Sequence, residues 1–575
     1  MKLRMFALGA MLATALPGLA SAQIPLGAPV ETTPIAPPPQ QEPAPQGSPQ
    51  VSHWGPAIES TELSQLNAWT VGTLTREQGG LPSTAWAQSD PAALAAAFGA
   101  LPSVYQSPAV QTLARRVLLS GAEAPPGDAA EAARKRFEAL GRMGAADELS
   151  QMAAGAGPAL ADPAIAQYAA QAELARNRRV EACARGRLAQ GDPPATFILR
   201  LRAYCSAAIG DRAAADLALE IARANRGEDA WVTSVVGIVG GAPTSRPPSA
   251  RYDTSLNAAL SLAANLRPPA NALTGASTLA LLAVARNEEA AQPLRAQAAA
   301  AALQRGVLPA TEARAILAAT PANVTTGVPA YVNALRTMST SRGAPVAVAV
   351  ASVLRTARTP AEFAAAARFF ADDITAFASW SAPTPATAAA PDAAPQLDSG
   401  NALLFARAAI ATGDARLAAR FLDLAMQGGA AQAGFSPVEA ALIVMRGPNA
   451  DPNGMAVHRR MDGSTTATAR TTARDILIMG AVGFQFDGAA QAFATAHAPQ
   501  GGAAADAGAL AILNAAAERG ASGEALLYAA IAAGNGPATL DANSVLAIIR
   551  ALRAARMDGE ARRFAVEAIL AGGPA

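Results

Sequence analysis

Apolar positions recur along much of the chain with the spacing of one helical face. Residues 203–222 read AYCSAAIGDRAAADLALEIA, and residues 406–425 read ARAAIATGDARLAARFLDLA. In each, two helix-forming stretches flank a Gly-Asp pair. Small or apolar side chains then follow the aspartate at the fourth, eighth and eleventh positions. These are Ala215, Leu219 and Ala222 in the first stretch, and Ala418, Leu422 and Ala425 in the second. That spacing places all three on one face of a helix. The glycine accepts the left-handed backbone that closes the first helix, and the aspartate caps the second. Looser copies occur at LGRMGAADELSQMAAGA, with Leu149, Ala153 and Ala156, and at RAARMDGEARRFAVEAI, with Ala561, Ala565 and Ala568. The pattern predicts an all-α fold built from antiparallel helix hairpins in series.

The spacing of small, larger and small residues on the second helix resembles the tetratricopeptide (TPR) repeat. Two hairpins carry the match clearly and two loosely, about a fifth of the chain. The aromatic and glycine positions of that repeat's first helix are mostly missing, with Tyr204 the nearest counterpart. The resemblance implies an α-solenoid of about 34–40 residues per hairpin, with an extended concave face that holds a protein or peptide.

Composition agrees with many close-packed helices. The chain is 51% hydrophobic but only 5% aromatic, and much of the apolar share is alanine, the best helix former and the smallest core side chain. Valine, isoleucine, threonine and aromatics are too sparse for a β-sandwich. The length, 575 residues, exceeds what one compact core usually organises. A formal net charge of +1 supplies no global field for nucleic acid or a membrane surface, so no nucleic-acid partner is expected.

The ends and joints have their own signatures. Residues 1–22, MKLRMFALGAMLATALPGLASA, place Lys2 and Arg4 before a short apolar run and a final Ala-Ser-Ala. This is the layout of a secretory signal peptide cleaved before Gln23. No cysteine lies nearby, so the chain is not expected to be a lipoprotein. No later run reaches the roughly 18 strongly apolar residues of a membrane span; VAVAVASVL, at 346–354, is short. The mature chain is therefore expected in the periplasm. Residues 23–52 contain IAPPPQQEPAPQGSPQ and read as a disordered Pro-rich linker. The loop GGAPTSRPPSARYD starts at Gly240. SAPTPATAAAPDAAPQLDSG, at 381–400, reads as a linker or long loop. It separates an N-terminal helical-repeat array, 53–380, from a C-terminal one, 401–575.

Several chemistries lack their residues. Lysine occurs only at Lys2 and Lys135, and histidine only at His53, His458 and His497. Lys135 follows Arg134 rather than glycine, and Ala132 stands where a Ser-x-x-Lys nucleophile needs its serine. No H-E-x-x-H, G-x-S-x-G or G-x-G-x-x-G motif occurs. Carboxylates are plentiful enough for a glycosidase pair, but no pair is singled out. No catalytic residue, metal ligand or cofactor is assigned.

Cys183 and Cys205 are the two cysteines. An oxidising compartment and an even count favour a disulfide over free buried thiols or a functional pair. The helix holding Cys183 is expected to end near Gln190-Gly191, with Asp192 and Pro193 starting the next one. Arginines concentrate around the cysteines: Arg176, Arg178, Arg179, Arg185, Arg187, Arg200 and Arg202. They form either the solvated side of helices or a patch for an anionic partner. Trp54, Trp69 and Trp86 crowd the first ordered stretch. They either line an aromatic groove or cap the open end of the array. HRRMDGSTTATARTTARD, from His458, reads as a polar surface loop.

The reading that joins these features is a non-catalytic periplasmic scaffold or adaptor that binds another envelope protein or peptide. One alternative is a peptidoglycan-related enzyme with a helical superhelix body. Some lytic transglycosylases resemble that layout, but their Glu-Ser setting has no counterpart in the C-terminal part. Another is a polysaccharide-binding protein that uses the tryptophans.

Overall fold

A computed structural model describes residues 67–319 and 398–572, which belong to one compact unit beginning at Leu63. The expected signal peptide, the Pro-rich stretch, His53, Trp54, the 346–354 run and most of 381–400 lie outside the described residues. Within the described residues are 23 α-helices, two short 3₁₀ turns and no strand, so the all-α expectation holds. The first group comprises α1 (Pro91–Ala100), α2 (Pro108–Leu119), α3 (Ala130–Met143), α4 (Ala146–Gly155), α5 (Pro163–Ala175), α6 (Arg179–Leu188) and α7 (Thr196–Ala208). It continues with α8 (Arg212–Ala224), α9 (Ala230–Val239), α10 (Ser255–Ala263), α11 (Thr278–Arg286), α12 (Gln292–Gln304) and α13 (Ala310–Ala318). The second group comprises α14 (Ser399–Ala411), α15 (Ala415–Gln427), α16 (Gln432–Arg446), α17 (Met455–Asp462) and α18 (Ala469–Val482). It ends with α19 (Gly488–Ala496), α20 (Ala507–Arg519), α21 (Ser522–Ala533), α22 (Ala542–Ala554) and α23 (Asp558–Ala571). Helix α14 begins inside the stretch expected to be loop.

The hairpins form as their spacing predicts. In α7–α8, Gly210 takes φ +84° and Asp211 accepts from Ala214 N–H. In α14–α15, Gly413 takes φ +82° and Asp414 accepts from Leu417 N–H. Ala215, Ala222, Ala418, Leu422 and Ala425 are buried, and Leu219 is half-buried. Leu149, Ala153, Ala156, Ala561, Ala565 and Ala568 are buried too. One closing bond recurs at these turns: the N–H just past the left-handed residue donates to a carbonyl five residues back. It runs from Ala145 to Leu140, Asp211 to Ser206, Asp414 to Ala409, Ala521 to Ala516 and Met557 to Leu552, at 2.8–3.1 Å. At the last of these the left-handed residue is Arg556, not glycine.

Stacking is not confined to chain neighbours. Helix α5 packs on α3, α4 and α6, and also on α10 and α11, which come later in the chain. Helices α6, α7, α8 and α9 form an arm that leaves at α5 and returns through α10. At the other edge α2 meets α21 and α23, and α1 meets α21. The two stretches expected to be separate arrays thus share one apolar core.

Their seam is close-fitting and polar at its rim. A Cβ on Gly523 would sit 2.6 Å from the Trp86 ring, so α21 approaches the indole only because residue 523 is glycine. Glu567 on α23 accepts from Ala109 N–H at 2.8 Å, and so caps the first turn of α2 from the far end of the chain. Burial pushes the Glu567 carboxyl up, against hydrogen bonds from Ser107 and Ala109. Arg116 pairs with Glu560 across the same seam.

The His458 segment is not a surface loop. It forms α17 and the start of α18, and it buries Arg460, Thr472, Arg474 and Asp475. Arg460 and Asp475 pair with each other, and Arg474 donates to backbone carbonyls, whereas Thr472 Oγ1, Arg474 Nε and Asp475 Oδ1 are buried without a hydrogen-bond partner among the described residues.

Candidate functional site

The cysteine hairpin is the best-defined feature among the residues singled out in the sequence. Cys183 on α6 and Cys205 on α7 are bonded, with Cα atoms 5.9 Å apart and 22 residues of separation. Glycine sets the approach of the two helices. A Cβ on Gly186 would lie 2.6 Å from Leu201 Cδ2. Arg202 donates to the carbonyls of Gly186 and Ala189, at 3.4 and 3.1 Å, and closes the C-terminal end of α6. Asp192 does not cap α7. The helix starts at Thr196 with Ala195 at its N-cap, because Pro193 and Pro194 hold the residues before them out of the α region. The replacement of both cysteines by serine is expected to cost about 3 kcal/mol through the freed loop. Thermal unfolding with and without reductant checks this; a double variant as stable as the parent would show the bond to be dispensable.

The structure divides the arginine cluster. Glu173 is buried and accepts from Ser150 Oγ at 2.8 Å, Arg176 Nη1 at 3.2 Å and Arg185 Nη2 at 3.4 Å. Arg176 Nε donates to Asp147 Oδ1 at 2.8 Å, and Arg286 Nη2 to Asp147 Oδ2 at 3.0 Å. Arg286 Nε then reaches Glu312 Oε1 at 2.9 Å. The string Arg185–Glu173–Arg176–Asp147–Arg286–Glu312 alternates in sign and ties together α6, α5, α4, α11 and α13. Arg200 donates to the Gly227 carbonyl and lies 3.8 Å from Asp229. These arginines, with Arg202, are occupied inside the protein and are not a patch for an anionic partner. Arg178, Arg179 and Arg187 are exposed. Arg179 bonds Tyr204, whose hydroxyl burial pushes up. Arg178 and Arg187 have no carboxylate partner among the described residues.

The tryptophans Trp69 and Trp86 are not a groove. Both are buried, packed edge-on at 6.1 Å, and Trp86 meets Phe98 at 5.9 Å. Trp69 Nε1 donates to the Ala129 carbonyl at 3.3 Å. Their rings fill the space between the N-terminal segment, α1 and α21, so no ligand reaches them. Trp86 is covered by Gly523 of α21, in the second group of helices.

Two buried charged sites went unread in the sequence. Arg136 on α3 is buried and donates to five carbonyls: Leu118 at 2.9 Å, Ala68 at 2.9 Å, Trp69 at 3.2 Å, Val71 at 3.0 Å and Ser120 at 2.8 Å. Burial lowers its pKa to about 10. In the second, Arg460 on α17 donates twice to Asp475 Oδ2 on α18, at 2.9 and 2.8 Å, and once to Ser436 Oγ on α16, at 3.2 Å. Arg474 beside it donates to the carbonyls of Ala568 and Pro537 at 2.7 Å. Both sites sit within the core and hold segments together.

No group of His, Cys, Asp or Glu among the described residues is placed to hold a metal ion, and no helix there is long and apolar enough to cross a membrane. No family model, curated protein or solved structure matches the chain.

Proposed function

We propose that the chain is a non-catalytic periplasmic helical-repeat protein, a TPR-like α-solenoid in its local build, that acts as a scaffold or adaptor for another envelope protein or peptide. One observation carries this reading. Eight large hydrophobic side chains are exposed among the described residues, and four of them, Val180, Leu188, Ile209 and Leu217, fall between residues 180 and 217. Scattered single apolar side chains need no explanation, whereas a concentration on one arm is the mark of a protein-binding surface. The recurring hairpins supply a rigid body for such an arm, and the signal-peptide pattern supplies the compartment. The burial of Trp69 and Trp86 weighs against a polysaccharide-binding reading; Trp54, on which that reading also relied, lies outside the described residues.

The test is chemical cross-linking of the tagged protein in its native envelope, followed by purification and mass spectrometry. One or two stoichiometric protein partners are the expected result. Recovery of glycan, or of the protein alone, would overturn the adaptor reading.

A further inference from the structure

The arm's chemistry points to the kind of partner. Between residues 178 and 251 stand eleven arginines against seven carboxylates, whereas the whole chain is balanced at 45 cationic and 44 acidic residues. The disulfide aligns the start of α6 with the end of α7, and the turn at Gly210 sends α8 back from that same edge. The edge therefore carries Arg178, Val180 and Ile209, together with Arg179, which also bonds Tyr204, and Arg212, whose Nε donates to the Gly240 carbonyl at 2.6 Å, with Leu217 farther along α8. Val180 is 71% exposed, Ile209 78% and Leu217 62%. The carboxylates near the edge include Asp211, which caps α8, Glu181 in the first turn of α6, and the exposed Glu289, whose charge reaches Tyr204 beside Arg179. Arginine is enriched in binding hot spots, where its fork engages carboxylates, and aliphatic neighbours help to exclude water around it.

On the adaptor reading, we infer that this edge of the α6–α8 arm docks an acidic, amphipathic peptide segment of another protein, with its carboxylates on Arg178, Arg179 and Arg212 and its apolar side chains on Val180 and Ile209.

The test uses the full secreted chain and a short fluorescent peptide of alternating glutamate and leucine, read by anisotropy. Binding is expected, and it weakens as salt rises. Arg178→Glu with Arg179→Glu, and separately Val180→Asp, are each expected to weaken it about tenfold or more. Ile512→Asp, at an exposed aliphatic on α20, is expected to leave it unchanged. Peptides with leucine changed to serine, or glutamate to lysine, are expected not to bind. No binding of the glutamate–leucine peptide, or undiminished binding to Val180→Asp, overturns the inference. Binding to phosphatidylglycerol vesicles in place of the peptide overturns it as well and assigns the edge to an anionic membrane. A photoreactive side chain at 209 or at 512 separates the two levels. A protein partner captured only from 512 defeats this edge and leaves the adaptor reading standing. The absence of any partner in the whole-protein cross-linking defeats both.

Discussion

Changing Arg136 to methionine is expected to cost the fold about 4 kcal/mol or more, enough to prevent accumulation of folded protein at growth temperature. The side chain enters the core without a carboxylate. It is tolerated because all of its donors meet backbone oxygens of two segments that would otherwise lie open. Leu118 and Ser120 end α2, where the helix leaves its carbonyls unpaired and partly negative. Ala68, Trp69 and Val71 belong to the irregular segment before α1, where the Trp69 carbonyl also accepts from Ala122 N–H at 3.0 Å. Methionine fills the volume but takes the guanidinium donors from these carbonyls, of which Trp69 keeps the Ala122 N–H, at about 1–3 kcal/mol for each one left unpaired that water cannot reach. Arg136→Lys keeps the charge and offers three donors from one point, so only part of the loss returns. The measurement is the urea midpoint followed by tryptophan fluorescence, since Trp69 and Trp86 are buried beside the site. A shift equivalent to less than about 1 kcal/mol would mean that water replaces the guanidinium, and the role argued for Arg136 would fall.

How much of this was legible in the sequence depends on whether one helix face carried it. Ala215 and Ala222, or Ala418 and Ala425, announce a buried stripe by their spacing, and the Gly-Asp turns announce both caps. The disulfide was legible from the even count of two cysteines and the oxidising compartment that the N-terminal pattern led one to expect. The return of α10 and α11 onto α5, and of α21 and α23 onto α1 and α2, was not. Those contacts join residues about a hundred positions apart in the first case and more than four hundred in the second, and alanine-lined faces fit many partners equally well. A signal for the seam existed only at Gly523, a glycine inside a helix. The arginine cluster stayed open between two readings because density along the chain does not separate Arg176, aimed inward at Asp147, from Arg178, which is exposed. Arg136 did leave a trace: it falls on the same face as Ala132, Ala133 and Leu140. A charge on that face signals a buried partner, and here the partner was backbone, which no sequence pattern displays.

The pair of Arg460 and Asp475 is expected to show its energy through pH. Arg460→Met leaves a fully buried carboxyl without its main partner, at about 3–5 kcal/mol near neutral pH. Burial already holds the Asp475 pKa at about 6, above its ordinary 3.8, while Arg460 and Arg474 pull it down. A carboxyl raised in the folded state takes up its proton first as the pH falls. The site's contribution to stability therefore grows from about pH 6 toward pH 4, and shrinks as pH rises through that window. Without Arg460 the carboxyl rises further, so the variant regains stability from a higher pH than the parent. Urea midpoints of both proteins at about pH 7.5 and pH 5 test this. The gap between them should narrow on acidification. An equal gap at both pH values would show that the lost interaction is not the burial of an uncompensated carboxylate. The double change Arg460→Met with Asp475→Asn is the decisive partner experiment. It removes both charges from the core, so its midpoint should lie closer to the parent than the single variant does, and its remaining deficit should not depend on pH. That outcome would place the site's value in mutual neutralisation, and it would explain how a stretch as polar as HRRMDGSTTATARTTARD comes to lie inside the protein.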